Sequence, residues 1–170
     1  MRHPSLIPLS HDHHHGLALA LRCRKQALGQ IKPVGVQGLE EMAKEVRNFF
    51  SENLERHFQA EEEVLFPIIS SCVPEGRQML EDLIEEHKQI REQVVRLEEK
   101  ASLSKMIFDL GDLLERHIRR EERELFPIFE DRVAAADAGR VRKEIETILG
   151  TPNLKSKIQN QMSESIPSSL

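Results

Sequence analysis

Eight histidines stand among 29 acidic residues in this 170-residue chain, and some of them recur with acids at a fixed spacing. The segment His57-Phe-Gln-Ala-Glu61-Glu62-Glu-Val-Leu65-Phe66-Pro67 is echoed by His117-Ile-Arg-Arg-Glu121-Glu122-Arg-Glu-Leu125-Phe126-Pro127. Both copies read HxxxEExxLFP and lie 60 residues apart. Asp12-His13 and Glu86-His87 open a looser second pair. Imidazole and carboxylate groups presented together either pair as ions or bind a metal cation, and their surroundings decide which. On a helix, residues four apart share a face. His57 therefore projects with Glu61, and His117 with Glu121. A single HxxxE is usually an exposed salt bridge; a repeated one inside apolar seams is not.

Those seams require long helices. Apolar spacing and breakers predict four of them. The first runs from about Leu9 to Gly29 and the second from about Leu39 to Ser70. The third covers about Gln78 to Glu99, and the fourth starts at Ser102 or Ser104 and reaches about Val133. A shorter helix is expected over Ala138 to Leu149, with Asp137 as its N-cap and Gly150 and Pro152 as its stop. Short connections make successive helices antiparallel. The expected fold is all-α: an up-down-up-down four-helix bundle with a short extra C-terminal helix. Residues 1–150 read as one domain, and 151–170, rich in Ser, Gln and Lys, as a flexible tail.

The inward face of the second helix reads Val46, Phe50, Leu54, His57, Glu61, Leu65, Ile68. That of the fourth reads Leu110, Leu114, His117, Glu121, Leu125, Ile128, and that of the third Leu80, Leu83, Ile84, His87, Ile90, Val94, Leu97. Each polar residue lies within its apolar seam. A buried, uncompensated carboxylate is too costly to survive, so it must be neutralised, paired or bound to a metal. Depth along the helices agrees. Roughly 16 residues separate His13 from the end of the first helix, and roughly 18 separate the start of the second from His57. The other helix pairs match to within a few residues, so all the sites fall in one layer of the bundle.

With nitrogen and oxygen donors and no thiolate, the set suits iron, manganese or zinc better than copper(I) or an iron–sulfur cluster. Two glutamates from facing helices can bridge two ions about 3.5–4 Å apart. Ferritin-like bundles place Glu three residues before His; here His comes first and Glu follows at four.

At these residues the chain resembles the hemerythrin family, in its HHE cation-binding branch, over roughly Leu9 to Val133. The resemblance rests on Asp12-His13, His57-x-x-x-Glu61, Glu86-His87 and His117-x-x-x-Glu121. It implies that His13, His57, Glu61, His87, His117 and Glu121 hold two non-haem iron ions, oxo- or hydroxo-bridged when oxidised, with zinc or manganese as possible substitutes. Glu61 and Glu121 would bridge. It implies a protein that binds or senses dioxygen, nitric oxide or peroxide; the alternatives are an oxidase or peroxidase-like enzyme, or a structural module with a zinc or empty site. The first-helix donor stays open between His13 and His14. Oxygen-carrying relatives place a second histidine four residues after the helix-three ligand, where this chain has Arg91, and end on an Asp five after its histidine, where this chain has Glu121 at four. Reversible oxygen storage is therefore doubtful, and a coordination position is expected to remain for a small ligand. Glu62 and Glu122 read as solvated surface charge, with support of the ligands as the alternative. Phe66 and Phe126, each before a Pro, read as core packing at helix-end kinks.

The bulk numbers narrow the rest. A net charge of −5 offers no basic footprint for nucleic acid. The chain has no 18-residue apolar run and no leader-like N-terminus, so no membrane partner is expected. The two cysteines, Cys23 and Cys72, are too few and too far apart for a disulfide framework, which favours a reducing cytoplasm. With no Tyr, a tyrosyl radical is excluded.

Overall fold

The computed structural model describes residues 1–99 and 101–150; the tail expected over 151–170 lies outside the described residues. A 3-10 turn, Pro4–Leu6, leads into helix α1 (Ile7–Ala27). Helix α2 is one continuous rod over 36–72, built from α segments Val36–Phe49, Glu55–Ala60 and Phe66–Cys72. Helix α3 is Arg77–Arg96. Helix α4 spans 103–132, as α segments Leu103–Arg120 and Phe126–Arg132, and helix α5 is Ala135–Gly150. Among the described residues there is no strand, and no helix is long and apolar enough to cross a membrane. The architecture is the expected four-helix bundle with a short extra helix.

Local chemistry sets the ends. Gly29, at φ 67°, is the residue that closes α1. Its N–H donates to Gln26 O at 3.0 Å and the Gln30 N–H donates to Lys25 O at 2.8 Å, the paired bonds that a left-handed glycine makes at a helix terminus. Ser102 stands at the start of α4 with φ 57° and makes no capping bond; the Ser104 hydroxyl donates to Ala27 O instead. Helix α5 begins earlier than expected, so Asp137 lies in its first turn and pairs with Arg140 rather than capping it.

The two rods that carry the HxxxE pairs are not pure α-helix. In π turns Glu61–Leu65 and Glu121–Leu125 the backbone bonds i to i−5: Phe66 N–H reaches Glu61 O, and Phe126 N–H reaches Glu121 O. A third such turn, Phe50–Leu54, lies one turn ahead of His57. The proline that ends each repeat explains two of the three. Pro67 and Pro127 lack an N–H, and their rings crowd the carbonyl four residues back, so a turn wider by one residue accommodates them. The rods then continue to Cys72 and Arg132, so neither proline marks a helix end.

The inserted residue shifts the face that follows. Ile69 and Phe129 are buried, while Ile68 and Ile128, expected inside, only pack at the edge. The buried run is thus 57, 61, 65, 69 in α2 and 117, 121, 125, 129 in α4. Three four-residue steps would drift by about 120° on a 3.6-residue helix; the π turn absorbs that drift.

The apolar core is split. One cluster gathers Leu19, Met42, Val46, Phe58, Ile90, Ile107 and Leu114. The other gathers Leu9, Leu65, Ile69, Leu83, Phe126, Phe129 and, from α5, Val141 and Ile145. Between them lies a layer of buried polar side chains. Helices α1 and α4 pack closely within the first cluster: a Cβ on Gly111 would lie 2.8 Å from Ala20 O and 2.9 Å from Cys23 Cβ.

Candidate metal centre

That layer contains His13 from α1, His57 and Glu61 from α2, His87 from α3, and His117 and Glu121 from α4, each 0–2% exposed. The structure therefore brings together all six residues singled out by spacing. His13 is the buried member of its tract; His11, His14 and His15 are exposed. The two candidates, His13 and His14, differ in phase: His13 shares the inner face of α1 with Leu9 and Ala20, and His14 is turned about 100° away.

The six side chains form two groups that share both glutamates: His13, His57, Glu61 and Glu121 in one, His87, His117, Glu61 and Glu121 in the other. Glu61 Oε1 lies 3.1 Å from His57 Nε2 and 3.6 Å from His13 Nε2, while its Oε2 lies 3.4 Å from His87 Nε2. Glu121 Oε2 lies 3.1 Å from His13 Nε2 and 3.3 Å from His117 Nε2, and its Oε1 lies 4.0 Å from His87 Nε2. Within each group the two imidazole nitrogens face each other, His13 to His57 at 3.0 Å and His87 to His117 at 3.1 Å.

All four outer ring nitrogens are held by carboxylates. His13 Nδ1 donates to Glu122 at 2.8 Å and His57 Nδ1 to Asp12 at 3.2 Å. His87 Nδ1 donates to Glu62 at 2.7 Å and His117 Nδ1 to Glu86 at 2.8 Å. Each supporting acid is the chain neighbour of an inner donor on the adjacent helix, so the support runs once around the bundle. This corrects the expectation that Glu62 and Glu122 are solvated surface charge. The signal was present: each inner carboxylate is followed by an acid, and His13 and His87 are each preceded by one. A one-residue step turns a side chain about 100°, from the core toward the next helix.

Three arginines brace these acids from outside. Arg2 pairs with Glu122, Arg91 with Glu62 at 2.9 Å, and Arg120 with Glu86 at 3.2 Å. Aromatic rings fix the imidazole planes. Phe126 stacks on His13 (centroids 5.2 Å apart, 15°), Phe58 stacks on His87 (3.8 Å, 17°), and Phe66 covers the same ring at 5.7 Å. Phe66 and Phe126 are core residues as expected, and they also orient the donors. Phe58 went unremarked in the sequence, although it adjoins His57.

The electrostatics follow from this packing. An Nδ1 that donates to a carboxylate leaves Nε2 of a neutral imidazole with only its lone pair. Four such lone pairs then point at one another and at two carboxylates. All four oxygens of Glu61 and Glu121 are buried without a hydrogen bond of ordinary geometry. Such a space has acceptors on every wall and no donor, so it needs positive charge in it: protons or metal cations. With protons alone, burial would lower the His57 imidazole, but Glu61 and Asp12 outweigh it and raise it to about 9. The His13 imidazole rises well above its ordinary value in the same way, against burial, through Glu121, Glu122 and Glu61. Burial pushes the Glu122 carboxyl up, yet His13, Ser10 and Arg2 hold it at about 2, so it remains an acceptor. Two metal cations, each facing two imidazole nitrogens and the shared carboxylates, would satisfy every inner lone pair, and the donor set suits hard or borderline divalent metals.

The family model described as the hemerythrin HHE cation binding domain matches residues 5–129, a span that takes in all six inner residues and their four supporting acids. No curated protein and no solved structure matches the chain.

Proposed function

We infer that this chain, which belongs to the hemerythrin HHE cation-binding family, holds two non-haem iron ions and uses them to bind or sense a small oxidant such as dioxygen, nitric oxide or peroxide. His13 and His57 would hold one ion, His87 and His117 the other, and Glu61 and Glu121 would bridge them. The observation that carries the reading is the set of four buried carboxylate oxygens without hydrogen bonds, lying between two facing pairs of imidazole nitrogens.

Bound iron would supply redox chemistry and open coordination positions. The chain itself supplies orientation and exclusion. The carboxylates on Nδ1 fix each tautomer and raise the basicity of the coordinating nitrogen. Two histidines per ion, rather than three on one side, leave room at both positions. Arg91, where an oxygen-carrying relative has a further histidine, instead braces Glu62 and lies over the Phe58 ring. The inner donors are sealed from solvent, which favours a small species over an organic substrate. We place this activity in a reducing cytoplasm, on the two unpaired thiols Cys23 and Cys72.

Anaerobic reconstitution with Fe(II) followed by admission of air tests the reading. About two irons per chain and new near-ultraviolet charge-transfer absorption are expected. A protein that stays colourless and keeps less than one iron per chain overturns it.

A further inference from the structure

Four supporting carboxylates stand between the sealed layer and solvent, and they are not equally approachable to a cation. Glu122, Glu62 and Glu86 each carry a guanidinium on the outside, from Arg2, Arg91 and Arg120. A fixed positive charge there occupies the oxygen and repels an incoming cation. Asp12 differs. Among the described residues its polar partner is His57 Nδ1 at 3.2 Å, and no Lys or Arg lies within ion-pair distance of it; the side chain is 25% exposed.

Two exposed histidines stand beside this gap. His11 and His15 are one turn apart on α1, their ring centroids 4.7 Å from each other. Among the described residues neither ring makes a hydrogen bond or ion pair. Residues four apart on a helix place their Cβ atoms about 5–6 Å apart, close enough for both imidazoles to reach one ion. With His13 facing the core, Asp12 lies on the flank toward α2, where it meets His57, and His15 follows it by one turn. His14 lies on the opposite flank, beside Arg119 of α4.

We propose that His11 and His15 form a second, exposed metal site that captures a divalent transition cation and passes it by way of Asp12 to the buried layer. Imidazole is a suitable ligand for iron, zinc, nickel and copper alike. The transfer is a ligand exchange, with no change of oxidation state: the cation leaves two neutral nitrogens for an anionic oxygen, then for the inner nitrogens and carboxylates. The delivery step rests on the reading of the buried layer as a cation site; the capture step rests on the histidine pair alone.

Two measurements on the full, metal-free chain and its H11A/H15A variant test this. The first is a Cu(II) titration, in which the wild type is expected to take up one equivalent more than the variant. The second follows Co(II) entry into the buried layer through its visible absorption after rapid mixing. The variant should reach the same final occupancy several-fold more slowly, and His14→Ala should load at the wild-type rate. Equal Cu(II) uptake, or equal Co(II) loading rates, overturns the proposal. A wild type that never retains Co(II) in the buried layer while its extra Cu(II) equivalent persists defeats the reading of the buried layer instead.

Discussion

His13 faces His57 across 3.0 Å in one half of the centre, and His87 faces His117 across 3.1 Å in the other, with the same two glutamates between them. The halves diverge one layer out. His87 and His117 rest on Glu62 and Glu86, both braced by arginine, and His87 is covered by Phe58 and Phe66. In the other half only Glu122 is braced, while His57 rests on Asp12, which has no guanidinium beside it among the described residues. The two halves carry the same inner groups, each imidazole backed by a carboxylate, and differ in what braces those carboxylates. Identity of donors and rigidity of donors are therefore separable properties.

The sharpest way to break this comparison is to remove what the halves share. Glu61→Ala and Glu121→Ala should each strip cations from both halves, so that iron per chain falls toward zero and the melting temperature of the iron-loaded protein drops to that of the metal-free one. Loss of one ion with retention of the other would show that the glutamate serves a single half, and retention of both would remove the bridging assignment.

The next largest effect should come from the supporting acids. Glu62→Gln, Glu86→Gln and Asp12→Asn keep shape and remove charge, and each should weaken metal affinity by roughly 10–100-fold. Asp12→Asn should sit at the small end, because it leaves no arginine unpaired. A competition titration against a chromophoric chelator would rank them; Asp12→Asn as the most damaging would reverse the assignment of the stiffer half.

Protons offer a third test. In the metal-free protein the His57 imidazole is raised to about 9 and His13 well above its ordinary value, so protons are held between these facing rings and the glutamates at neutral pH. A cation must displace them. Metal uptake should release protons in weak buffer, and affinity should fall as pH falls below about 9. The sign for folding is opposite: with folded values above the unfolded imidazole's, the stability these protons give the metal-free state is present below about 6.5 and lost as pH rises through about 9. Metal uptake with no proton release at pH 7 would contradict this account.

The smallest effect belongs to the braces. Arg91→Ala and Arg120→Ala remove half-exposed ion pairs worth roughly 0–1 kcal/mol each to folding. Denaturant titration of the metal-free variants should show no more than that, with most of any loss appearing as weaker metal retention.

Much of this was legible in the chain. The four helices, their antiparallel order and the convergence of six donors follow from apolar spacing and the HxxxEExxLFP repeat, because a polar residue inside an apolar stripe has nowhere to point but inward. What escaped was the π turn. Period 3.6 placed Ile68 and Ile128 inside, whereas the structure buries Ile69 and Phe129, because an extra residue is admitted just ahead of Pro67 and Pro127. The supporting role of Glu62 and Glu122 was hidden for a related reason. It depends on which neighbouring helix a side chain meets after a one-residue rotation, and that is a property of the assembled bundle. The position of α5, which lays Val141 and Ile145 onto the cluster around Phe126 and whose Ala138 O accepts from the Ser5 hydroxyl, had no counterpart in local pattern.

The division of the apolar core has a mechanical meaning. A bundle of this length would ordinarily melt as one piece because its greasy interior is continuous. Here two oily slabs are separated by a sheet of charge, and the ions would serve as the rivets that let strain pass from one slab to the other. Drawing those rivets out should loosen the coupling before it loosens either slab, so calorimetry of the chelated protein should show a broader, less cooperative transition than that of the loaded one.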